Sequence, residues 1–129
     1  MTIRIGTRIS KDWIDRPDDL RFLKQIGIDY VDIFLDMVTG FDDAGGRASK
    51  EGLDDVLEKL DKADLKVERA NTSGPDYINA FLGREGGDIE IENLQINAEL
   101  CGEAGVPLFG IQCFQASTLH PFHDQLHSW

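Results

Sequence analysis

Six polar side chains fall just beyond the apolar segments that read as strands: Ser10, Asp36, Asn71, Ser73, Gln112 and Gln115. In parallel α/β folds ligand contacts gather at the C-terminal ends of strands, so these are the positions where chemistry is expected. Asp36 leads them. A carboxylate closing the run Tyr30-Val31-Asp32-Ile33-Phe34-Leu35 can ligate a metal ion or accept a hydrogen bond from a sugar hydroxyl, and capping the next loop is its simpler role. Asn71 and Gln112 supply amides at the ends of the third and fourth runs. Glu68 and Arg69 lie inside a strand between Val67 and Ala70, where neighbours point to opposite faces, so at least one must be paired or line an interior. His120, His123 and His127 are spaced as a helix would need to bring them to one face, a zinc-binding pattern weakened by Pro121. The Asp42-Asp43-Ala44-Gly45-Gly46 stretch fits no calcium-loop spacing and reads as a solvated loop. Gly83, Gly86 and Gly87 precede a helix start, which suits either an anion or simple loop flexibility.

Positioning these residues requires four strands and three helices. The first helix has Pro17 near its start, Leu20, Leu23 and Ile26 on one face, and Gly27 as its stop. The second follows Ser49 as N-cap and places Leu53, Val56, Leu57 and Leu60 at i, i+3, i+4 and i+7. The third takes Asp88 as cap and aligns Ile91, Leu94, Ala98 and Cys101. Strands are expected at 3–9, 30–36, 66–72 and 108–115, several of them apolar runs that suit parallel strands covered on both faces. Gly27-Ile28, Asp64-Leu65 and Gly105-Val106 each lead straight from helix to strand, at intervals of 37 and 41 residues. The order is therefore βαβαβαβ: either a flavodoxin-like open sheet or the first half of a (β/α)8 barrel. No glycine lies in Thr7-Arg8-Ile9-Ser10-Lys11-Asp12, which argues against a dinucleotide-binding turn.

The chain has 129 residues, about half of the roughly 250 that a (β/α)8 barrel takes. Its formal charge of -11, from 24 acidic and 13 basic residues, argues against a nucleic-acid partner. Asp outnumbers Glu 16 to 8, a balance also met on salt-adapted surfaces. The first residues are too often interrupted by charge and glycine to form a signal-peptide core, and no run is long enough to span a bilayer, so a cytoplasmic setting is expected. There Cys101 and Cys113 would be reduced, buried thiols and not a redox pair.

Three segments in order, Leu82-Gly83-Arg84-Glu85, Ile91-Glu92-Asn93-Leu94-Gln95 and Gly102-Glu103-Ala104-Gly105-Val106-Pro107, resemble the Gly-Arg-Asp, Ile-Glu-Asn-x-Gln and Gly-Glu-Ala-Gly-Ile-Pro series of mannonate dehydratases. Residues 20–36 and 65–72 are similar more loosely, so the resemblance runs from about residue 3 to 115. It implies a xylose-isomerase-like TIM barrel and a lyase that dehydrates D-mannonate to 2-keto-3-deoxy-D-gluconate in hexuronate breakdown. By this resemblance 1–117 form the N-terminal half of the barrel, and 118–129 are an unassigned tail. Asp36, Asn71 and Gln112 become the substrate-binding candidates. The resemblance further implies a divalent metal, Mn or Fe, held by His, Cys and Asp of later strands, so no metal ligand and no catalytic acid or base is carried over. A short chain without catalytic activity of its own is the corresponding expectation.

The chain departs from the family at its first strand, Ile3-Arg4-Ile5-Gly6, where the family has Arg-Trp-(Phe or Tyr)-Gly. Asn71 and Gln112 stand where the family has Glu and Asn. A sugar or sugar-phosphate isomerase or epimerase of the same barrel group is an alternative. Another is a non-catalytic half-barrel that assembles with itself, since four parallel strands leave two unpaired edges.

Overall fold

The computed structural model describes residues 3–112. The chain is α/β, with strands β1 (Gly6–Arg8), β2 (Tyr30–Phe34), β3 (Lys66–Thr72) and β4 (Leu108–Ile111). Between them lie helices α1 (Pro17–Gln25), α2 (Lys50–Lys62), α3 (Ile78–Phe81) and α4 (Gly87–Glu103). Every strand pair is parallel and the order across the sheet is β1-β2-β3-β4. That sequential order excludes the flavodoxin-like arrangement, whose first strand lies inside the sheet.

The repeated junctions read from sequence share one hydrogen-bonding scheme. Gly27, Asp64 and Gly105 all take left-handed backbone, at φ 89°, 58° and 80°. The amide one residue further on returns to its helix each time: Ile28 to Leu23 O at 2.9 Å, Leu65 to Leu60 O at 3.0 Å and Val106 to Cys101 O at 2.9 Å. These are Schellman closures, in which a 6→1 bond satisfies an orphan carbonyl and turns the chain toward the next strand. At Gly27 and Gly105 the positive φ carries no Cβ penalty.

One core lies on one face of the sheet. Val31 and Ile33 of β2 and Ala70 of β3 meet Leu20 and Leu23 of α1, Leu53, Val56 and Leu60 of α2 and Cys101 of α4, all buried. Ser49 caps α2 as expected, its hydroxyl accepting from Gly52 N at 3.1 Å. The Cys101 thiol is free, and burial pushes its pKa up to about 11. Cys113 lies outside the described residues.

Local expectations are corrected: a fourth, short helix, α3, precedes α4 where three helices were expected, and β2 ends at Phe34 instead of 36 because a 3-10 turn follows. The first strand is shorter than 3–9, because Gly6 is the first residue in register with β2. Ile26 is not on the buried face of α1; it is the C-cap and is exposed. Gly86, not Asp88, is the N-cap of α4, and Asp88 sits in the first turn. The buried stripe of α4 is Asn93, Asn97 and Cys101, while Ile91 is exposed, because the first half of this helix meets the carbonyls of a loop.

That loop is residues 45–48. Asn93 Nδ2 donates to Gly45 O at 3.0 Å, and its Oδ1 accepts from Arg47 Nε at 2.9 Å. Asn97 Nδ2 donates to Gly46 O, and its Oδ1 accepts from Ala48 N, both at 2.8 Å. The stretch expected to be simply solvated is therefore fastened at its glycine end by two amides one helical turn apart. Glu90 works similarly, its carboxylate accepting from Asn79 Nδ2 and Ala80 N, both at 2.7 Å.

Candidate functional site: the polar face of the sheet

The face of the sheet away from the core is polar, and its residues follow from strand alternation. In β2, Tyr30, Asp32 and Phe34 alternate with the buried Val31 and Ile33. The pairing of β2 with β3 shifts between Val31 and Asp32, so that Val67 opposes Val31 while Arg69, not Glu68, opposes Asp32. This bulge places one extra residue in β3. It resolves the conflict posed by adjacent charges, because both find partners on the polar face. Arg4 Nη1 donates to both Glu68 oxygens at 3.0 Å, and Arg69 Nε lies 3.7 Å from Asp32 Oδ2.

Three guanidinium groups share this face with two carboxylates, those of Asp32 and Glu68. Arg4 stands over the Tyr30 ring at 5.1 Å and Arg8 over the Phe34 ring at 4.8 Å. Arg8, in register with Asp32, has no carboxylate within ion-pair distance among the described residues. In a chain of charge -11, this sheet face carries a net positive charge. Arg4, Arg8 and Asp32 were not singled out from sequence; the signal was charge recurring inside strands at 4, 8, 32 and 69.

The sequence-derived candidates end the same strands. Asn71 opposes Phe34 and Gly110 across the sheet. It is buried, and its Nδ2 donates to Ile33 O at 3.1 Å, so part of its capacity is spent joining β2 to β3. Gln112 is half-buried directly after β4. Asp36 does not close β2, which ends at Phe34; it lies exposed in a 3-10 turn over Leu35–Met37. Desolvation by neighbouring chain is the main reason its pKa is raised; Lys11 opposes the shift, and the negative charges of Asp42 and Asp76 reinforce it. Ser73 is tied to Asp76, its N and Oγ donating to Asp76 Oδ2 at 2.8 and 3.1 Å. Gln115 and the three histidines lie outside the described residues.

Among the described residues no three His, Cys, Asp or Glu side chains converge as metal ligands. No helix of the described residues is long and apolar enough to cross a membrane. A groove of about 580 Å³ between α1 and α2 is floored by Ile14, Pro17 and Leu20. Its lysines are already paired, Lys24 with Asp29 and Asp64, and Lys59 with Asp15 and Asp55, which leaves the sheet face as the better site for a charged ligand. Comparison with protein-family models, with curated proteins and with solved structures finds no match.

Proposed function

We propose that the chain supplies the first four strands of a barrel that handles a sugar acid, as the mannonate dehydratases it resembles do. The observation that carries this reading is the polar sheet face, where three guanidiniums outnumber two carboxylates in a strongly acidic chain. A cationic surface beside aromatic rings and an amide suits a small polyhydroxylated anion better than a neutral sugar. The sequential parallel order with one helix-covered face is also what consecutive units of a (β/α)8 barrel would have. On this reading Asp36, Asn71 and Gln112 contribute substrate contacts at the strand ends. Dehydration would further require an acid, a base and a divalent ion from outside the described residues. The test is an amide NMR titration of the 129-residue chain with D-mannonate and, in parallel, with uncharged mannitol. D-mannonate is expected to shift the amides of Arg8, Asp32 and Arg69 and mannitol to leave them in place. Equal responses, or none, would remove the sugar-acid reading.

The sheet edges favour a second reading. Among the described residues β1 pairs only with β2 and β4 only with β3. Apolar side chains stand out on both sides, Ile3 at 86% and Ile5 at 67% exposed beside β1, and Leu108 at 49% and Ile111 at 50% on β4. Two copies joined β1 to β4 and β4 to β1 would cover both edges with one self-complementary contact. Sedimentation velocity is then expected to show a concentration-dependent dimer, and a monomer at every concentration would exclude this closure.

A further inference from the structure

We infer that Arg8 is the anchor for the ligand's carboxylate. The inference rests on the sugar-acid reading for the class of ligand, and goes beyond it in naming the group that holds the charge. Of the three guanidiniums on the polar face, Arg4 is engaged by both oxygens of Glu68 and Arg69 stands beside Asp32. Arg8 is exposed and has no acidic partner among the described residues. It stands over the Phe34 ring, with the guanidinium carbon 4.8 Å from the centroid. A ring contact of this kind uses none of the guanidinium's N–H donors, which are left to bond a carboxylate in a parallel pair.

Position supports the same role. Arg8 is the last residue of β1 and Phe34 the last of β2, so the pair sits at the C-terminal end of the sheet. Phe34, half-buried, opposes the buried Asn71, whose side-chain oxygen covers Gly110 on the next strand, so the pair borders a packed strand end. A carboxylate on Arg8 would leave the hydroxylated part of a short sugar acid running across the Phe34 ring. Lys in place of Arg8 keeps the charge but loses both the stacking plane and the paired donors.

The experiment follows the Arg8 Nε–Hε resonance of the full chain while D-mannonate, D-gluconate or acetate is added, and repeats the titrations with Arg8→Gln and Arg8→Lys. Because Arg8 is exposed, both variants should keep the wild-type amide spectrum away from β1 and β2. Sugar acids are expected to shift Arg8 Nε–Hε, with affinity falling about tenfold or more in Arg8→Gln and recovering only partly in Arg8→Lys. Binding of D-mannonate that is equal in wild type and Arg8→Gln would overturn the anchor and leave the sugar-acid reading standing. Acetate shifting Arg8 while neither sugar acid binds would uphold the carboxylate anchor and overturn the sugar-acid reading. An Arg8 resonance that no carboxylate moves would overturn the anchor.

Discussion

Replacing Asn97 by alanine is expected to lower the unfolding free energy by about 2–4 kcal/mol, since two backbone groups lose their partners at once. Asn97 is 1% exposed; its amide accepts from Ala48 N and donates to Gly46 O. Ala48 is itself buried, so its N–H could not turn to water when the amide is removed. Each buried group left unpaired costs about 1–3 kcal/mol, and the vacated volume adds to this. Urea denaturation checks the loss, with Glu99→Ala on the exposed side of the same helix as the control, expected within about 0.5 kcal/mol of wild type. A midpoint for Asn97→Ala as close to wild type as the control's would mean that the loop holds its shape without α4.

A second large effect is expected at Gly110, where alanine should cost about 1–3 kcal/mol. A Cβ there would come to 2.3 Å from Asn71 Oδ1 and 3.3 Å from Arg69 Cδ. Asn71 cannot swing aside freely, because it is buried and its Nδ2 is held by Ile33 O. The added methyl must therefore break that bond or push β4 away from β3. Gly102, exposed on α4 with nothing near its missing Cβ, provides the contrast: Gly102→Ala should be neutral or slightly stabilising through helix propensity. Thermal unfolding of the two variants side by side makes the comparison. Equal midpoints would show that the space above Gly110 is not filled as described.

Local signals were legible wherever one rule governed the segment. Ser49 caps α2, Pro17 opens α1, and β3 spans the expected 66–72 just after its Asp64-Leu65 junction, because capping, proline geometry and helix-stop turns each act over a few neighbouring residues. The three Schellman closures were visible as Gly or Asp followed by an aliphatic residue. The buried side of α4 was not. Apolar periodicity assumes that a helix meets an apolar surface, whereas α4 meets the backbone of residues 45–48 and buries amides to satisfy it. Glu68 and Arg69 were correctly seen to be in tension. The resolution needed a one-residue slip between β2 and β3, which strict alternation along a single strand does not encode. At the candidate site Asn71 lies within β3 and Gln112 directly after β4, whereas Asp36 falls beyond the end of β2, because a 3-10 turn begins at Leu35. The net positive charge of the sheet face was not, since it depends on which charges neutralise one another across strands far apart in the chain.

The order β1-β2-β3-β4 also bears on how the chain is made. From β2 onward each strand pairs with the one completed just before it, so after β1 no described strand emerging from the ribosome must wait for a partner not yet synthesised. Each step closes a crossover that carries its own helix, and the entropic cost of closure grows only slowly with length. A sheet wound in this order can be laid down unit by unit at the pace of translation, with each helix covering its strands before the next unit arrives.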